Sequence, residues 1–249
     1  MRRVQPELEA LIWKELKERK LAYPSLAAVM LILGAASVAV VYALPEILPE
    51  ELRGMIPELG AEDAIADYFE NTAQIALLLI AVVTSTSMAK EVEKGTLELL
   101  LAHPVRRELV ALAKLTSSLA ASLGSLALAS LATWAYSRIL GPYPLAKVLK
   151  AALLMSASIA YTCASSALLG SLFRAQLSAG ASAAALHIAS LVAQGLASGH
   201  WVAKLLPHYS TQMALAAVTK EISLKAALTP LAYATLLALA ALVTYARRK

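Results

Sequence analysis

Glu91, Glu93 and Glu98 stand in a short run with Lys90, Lys94, Gly95 and Thr96. Leu97, Leu99, Leu100 and Leu101 are threaded through it, and His103, Pro104, Arg106, Arg107 and Glu108 close it. Fixed charges interleaved with leucines make a recognition surface rather than a reaction centre. Carboxylates can meet Arg or Lys on a partner while leucines supply apolar anchors. The chain offers little for covalent chemistry. Its four histidines are His103, His187, His200 and His208, and none forms the His-Glu-x-x-His pair that would hold zinc. No glycine run ends in Lys-Ser or Lys-Thr, so the backbone cradle for a nucleotide phosphate is missing. The single cysteine, Cys163, excludes an internal disulfide and any cysteine-rich metal site. It lies in an apolar run, where a free thiol packs as a small hydrophobe. Ser85, Ser87, Ser117, Ser118, Ser165 and Ser166 also fall in apolar runs, where small hydroxyls pack and hydrogen-bond between helices. The residues predict no catalytic site, no metal site and no enzyme.

His187 and Gln194 stand seven positions apart and so share one helical face, with Gly195 and Gly199 as a small-xxx-small pair beside them. Polar groups inside an apolar run line pathways or are satisfied by a neighbouring helix. These two residues are the candidates for a substrate path. The apolar runs hold no Asp or Glu, whereas ion-coupled carriers bind and release their ion on buried acids. Energy for transport is therefore expected from elsewhere.

The elements that must position these residues are membrane helices. The chain has 249 residues, 59% hydrophobic and 16% charged, against about 25% charged for soluble domains. A helix needs about 20 apolar residues to cross a bilayer. Six runs, roughly 21–44, 71–89, 109–137, 150–173, 177–198 and 229–246, meet or approach that length. None alternates with period two, so helices are expected rather than barrel strands. The fold class is all-α integral membrane, one transmembrane domain over 1–249. Residues 6–20 place Leu8, Leu11, Ile12 and Leu16 at helical spacing with Trp13 and several lysines, which suits an amphipathic interface helix. This charged amphipathic start does not read as a cleavable signal peptide. Residues 45–70 read as an acidic connection with a short helical excursion. Residues 199–228 are too apolar for a solvated loop, yet Pro207 and Lys220 stop them from spanning; short helices dipping into the outer leaflet are expected there.

Lys and Arg gather in the N-terminal segment, in the connection after the second run, at Arg174 and at Arg247-Arg248-Lys249. The connection at 45–70 is acidic, with a lone Arg53. The positive-inside rule then places both termini and the charged run at 89–108 in the cytoplasm, with the protein in the cell membrane. The net charge of +5 follows this topology and does not call for nucleic acid.

The string Met88 to Leu109, with Glu91, Gly95-Thr96, Glu98, Leu100-Leu101, Pro104, Arg107 and Glu108-Leu109 in order, resembles the cytoplasmic loop after the second span of type-2 ABC exporter permeases. The likeness covers about twenty residues and the surrounding six-span plan. His103 departs from it, where small or polar residues such as Thr or Ser are more usual. The resemblance implies a permease that pairs with a second copy and docks on a separate ABC ATP-binding subunit, which alone carries ATP and magnesium. Residues 89–108 would form a coupling helix. Glu91, Glu93, Gly95, Thr96, Leu97, Glu98, Leu99, Leu100 and Pro104 are its docking candidates. Gly95 would bend the backbone, Thr96 would cap the helix and Pro104 would end it. Two rival readings stay open: a mechanical transmitter driving an extracytoplasmic protein, and an ion-coupled secondary carrier.

Overall fold

The computed structural model describes residues 4–47, 49, 59–95 and 106–247. Among these the regular structure is helical, with no strand. Helix α1 (Val4–Glu18) leads through a short break into α2 (Ala22–Ile47). Pro24 is tolerated in α2 because its missing N–H falls in the first turn. Helix α3 (Ala61–Asn71) passes through a π-helical turn (Thr72–Ala76) into α4 (Leu77–Glu93). After residues 96–105, α5 (Arg107–Ser137), α6 (Leu145–Leu172) and α7 (Gln176–Leu196) follow. A 3-10 turn (Trp201–Leu205), α8 (Tyr209–Thr219), a second 3-10 turn (Leu224–Ala227) and α9 (Leu228–Ala246) complete the described chain.

Among the described residues six helices are long and apolar enough to cross a membrane: Ala22–Leu44, Ala61–Glu93, Arg107–Ser137, Leu145–Leu172, Gln176–Leu196 and Leu224–Ala246. The second begins well ahead of the expected position 71. Ala64, Ile65, Tyr68 and Phe69 recur at helical spacing and are buried, while Glu62 and Glu70 stay exposed. Residues 61–70, the acidic end of the expected 45–70 connection, are therefore the amphipathic first turns of the same helix. Likewise the expected loop at 89–108 is helical to Glu93, and helix resumes at Arg107.

Helix α6 sits at the centre, packed by α4, α8 and α9, with α5 also against it. Small residues set the spacing. A Cβ on Gly170 would come within 2.3 Å of the Ser85 carbonyl oxygen, so α4 and α6 approach to backbone contact. A Cβ on Gly34 would lie 1.9 Å from Thr133 Oγ1, which draws α2 onto α5 in the same way. Met30, Ile65, Tyr68, Phe69, Leu77, Leu154 and Ile159 fill the core between them. The outer faces of α2, α7 and α9 carry exposed Ile32, Leu186, Ile188, Leu236 and Leu239. Apolar surface of this extent fits lipid contact rather than water.

Candidate functional site

Two polar clusters interrupt this apolar bundle, one at each end. The first lies where the two stems of segment 96–105 meet. Helix α4 brings Glu91 to the end of the outgoing stem, and α5 brings Lys114 two turns into the returning one. Helix α1 brings Glu15 between them. Lys114 Nζ lies 3.0 Å from Glu15 Oε2 and 3.3 Å from Glu91 Oε1, and it is only 2% exposed. Glu15 Oε1 also accepts from Ser87 Oγ at 2.6 Å and Arg19 Nε at 3.1 Å. Glu91 accepts from Lys14 Nζ at 3.4 Å and from the Tyr245 hydroxyl of α9 at 3.2 Å. On the rim, Glu18 pairs with Lys14 and Lys90. One ionic cluster thus ties α1, α4, α5 and α9 together.

Glu15 shows the electrostatic balance. Burial pushes its carboxyl pKa up, but the Lys114 charge and hydrogen bonds from Ser87 and Lys114 outweigh that and hold it below the ordinary 4.5. Glu15, Glu18 and Glu91 bring carboxylate oxygens within 4.8 Å of one another, a spacing that could suit a divalent cation. Lys14, Lys90 and Lys114 already occupy those oxygens, so the cluster is an ion-pair network rather than a metal cage. The same pairing bears on proton coupling: the buried acids are present, but each is committed to a fixed cation.

Of the docking candidates, Glu91 turns inward into this cluster. Glu93 is exposed, and its Oε2 accepts the backbone N–H of Gln176 at 2.7 Å. That is the first amide of α7, so a side chain from α4 caps the start of another long helix. Gly95 ends the stem with φ +65°, in the left-handed region that closes a helix C-terminus and that glycine adopts without strain. Thr96, Leu97, Glu98, Leu99, Leu100 and Pro104 lie outside the described residues. Beside the returning stem, Arg106, Arg107, Glu108, Leu109 and Ala246 line an open recess of about 490 Å³.

The second cluster is at the opposite end. His187 is buried, and its Nε2 lies 3.2 Å from the Ala73 carbonyl in the π turn. A carbonyl only accepts, so Nε2 carries the proton. The His187 and His208 rings stack edge to face at 5.1 Å, and Tyr161 meets His208 at 5.3 Å. Gln194 donates from Nε2 to Gln212 Oε1 at 2.8 Å, and Gln212 Nε2 donates back to the Gln194 carbonyl at 3.2 Å. His187 and Gln194 therefore do belong to one region, though each bonds mainly to its own neighbour.

Sequence reasoning misses Glu15, Lys114, Tyr245 and His208. Glu15 had a signal: it follows Leu8 and Leu11 at helical spacing, so it falls on the apolar stripe of α1 rather than the solvated face. Lys114 also had one, standing inside the run Leu109 to Leu115. His208 had none, because its partners are distant in the chain. A family model described as ABC-2 family transporter protein matches residues 10–246. No curated protein compared with the chain matches it.

Proposed function

The chain belongs to the ABC-2 transporter family, and from that premise we propose that it is the permease subunit of an ATP-driven exporter. A separate ABC ATP-binding subunit hydrolyses ATP, and residues 96–105 seat on it. Two permease copies form the working unit, both termini face the cytoplasm, and α1 lies along the cytoplasmic membrane surface.

The observation that carries the reading is the buried Glu15–Lys114–Glu91 cluster. A loop can transmit force only if its stems do not yield. Here the stems are joined by a cation that both buried carboxylates share, and removing one charge from such a buried set is costly for the charges left behind. The outgoing stem is further tied through Glu93 to α7 and through Glu91 to α9. Displacement of the loop would thus be passed to several helices as one body. In this reading Glu91 and Glu93 hold the lever in position, while Glu98 and the leucines meet the partner. The chain itself has no catalytic role.

Co-expression with the ATP-binding subunit tests this. The two chains should co-purify, and Glu98→Lys should lose the complex or uncouple ATP hydrolysis from transport while the permease stays folded. Gly95→Pro should do the same by misdirecting the stem. Absence of any complex, or wild-type assembly and coupling in both variants, would sink the reading.

A further inference from the structure

At the far end a cavity of about 520 Å³ lies between α3, α7 and α8, with Ile188, Leu191, Val192 and Leu215 on its walls. The surface whose chemistry specifies a partner is at the loop end, on the outer side of α1. Helical spacing gives α1 two sides. Glu15 and Arg19 turn toward the bundle, where Glu15 meets Lys114 and Arg19 Nη1 reaches the Val83 carbonyl. Trp13, Leu16 and Lys17 turn outward, joined by Lys20 one turn on, in the break before α2. Trp13 is 64% exposed, and Leu21 at the foot of α2 is 79% exposed. The cations divide the same way. Lys14, Arg19, Lys90 and Lys114 are all committed to Glu15, Glu18 and Glu91. Lys17 and Lys20 are exposed and meet no carboxylate among the described residues. Among the described residues of α1, Glu9 is the one acid on the outer side. It stands two turns back from Lys17, on the order of 12 Å away.

Two uncommitted lysines beside an exposed tryptophan and leucines match a surface that is apolar below and negative above. Tryptophan settles at the headgroup level of a bilayer. Lysine lays its stem along apolar surface and keeps its ammonium in the polar layer. Leu21 leads from this side of α1 to α2, whose exposed Ile32 and Val40 continue the apolar surface. That continuity favours lipid over a separate protein. We infer that the outer side of α1 binds the headgroups of anionic phospholipid, with Lys17 and Lys20 on the phosphates and Trp13 and Leu16 in the acyl boundary. A zwitterionic headgroup cancels its phosphate with its own cation, so net leaflet charge is what the lysines select. Because the same helix carries Glu15, this attraction presses α1 onto both stems and steadies the Glu15–Lys114–Glu91 cluster. The inference rests on the placement of α1 proposed above and names the lipid it meets there.

The test uses the full-length chain without ATPase, in nanodiscs of one fixed mixture of phosphatidylglycerol and phosphatidylcholine. Bromine is carried on the acyl chains of the phosphatidylglycerol in one sample and of an equal amount of phosphatidylcholine in the other. The chain has three tryptophans, so the Trp13 signal is the difference between wild type and Trp13→Phe. Brominated phosphatidylglycerol should quench Trp13 more strongly. The excess should correspond to at least about fivefold enrichment of anionic lipid, the order expected from one lysine near a charged surface. Lys17→Gln combined with Lys20→Gln should bring the two labels level. Lys17→Arg combined with Lys20→Arg should keep the preference, which a role in packing alone would not produce. Salt at about 1 M should erase it, because the Debye length falls to about 3 Å. Phosphatidylglycerol should also raise the melting temperature of wild type by more than that of the double Gln variant. Equal quenching by the two labels in wild type, an unchanged preference in the double Gln variant, or equal melting shifts would overturn the inference while leaving α1 at the membrane. Quenching by neither label would overturn the placement as well and give this side of α1 to a protein partner. The ATPase is absent throughout, so a failure of assembly would be separate from all of these.

Discussion

Lys114 places one positive charge where water barely reaches, and two carboxylates share it. A buried ion pair contributes little against a well-packed apolar substitute, because desolvation cancels most of the attraction. Removing one partner is different. Lys114→Ala should destabilise the chain by up to about 3–5 kcal/mol, because Glu15 and Glu91 would lose the buried cation they share and keep one each, Arg19 and Lys14, nearer the surface. Combining Lys114→Met with Glu15→Gln and Glu91→Gln should recover most of that, measured as unfolding in detergent. Recovery of nothing would mean the side chains act by packing alone. Acid should act on the same group. The Glu15 pKa is lowered by folding, so its ionised form adds stability above its unfolded value, and this is lost as pH falls through the folded one. Stability from this group should be level between neutral pH and the ordinary 4.5, then fall on further acidification. Glu15→Gln should remove its part of that acid limb in a pH series of melting curves.

At the scale of elements, helix spacing is fixed by missing side chains. Gly170→Ala would push a methyl against the Ser85 carbonyl, and backbone cannot rotate away as a side chain can. We expect a loss toward the upper end of about 1–3 kcal/mol. Gly124→Ala is the matched control: it is helical in α5 with open space around it. It should stabilise by up to about 1 kcal/mol through helix propensity alone. Equal effects at the two glycines, read from melting temperatures, would refute the close-packing account. The π turn at Thr72–Ala76 is a different device. It adds a residue to the turn where Ala73 meets His187, and such bulges cluster at functional sites. Nothing in the pattern of residues 71–89 announces it, because its apolar spacing differs from an α-helix by only one position.

For the whole molecule, sidedness is the property on which partner and cargo assignments depend. Glu62 and Arg174 are exposed near opposite ends of the bundle, and the native cysteine is buried. In intact cells Glu62→Cys should react with a membrane-impermeant maleimide, while Arg174→Cys should react only after lysis. The reverse pattern would place the loop, and any ATPase, on the wrong side. The six long apolar runs and the family-like string around Gly95 are legible in the chain because bilayer thickness and backbone satisfaction act locally. So are His187 and Gln194 as polar groups sharing a face. Their separate partners, Ala73 and Gln212, are not, and neither is the cavity they border. Composition alone reads Glu15 and Lys114 as surface charges; their spacing sets both among apolar residues, but what covers them arrives from other helices. The sequence by itself determined the number and apolar character of the membrane helices, because each run answers only to its own length and hydropathy. Only the tertiary structure decided which charges are buried, that Lys114 on one stem of the 96–105 segment pairs with Glu91 on the other, and that a cavity opens at the far end. The burial of those charges depends on contacts between residues some 70 to 150 positions apart.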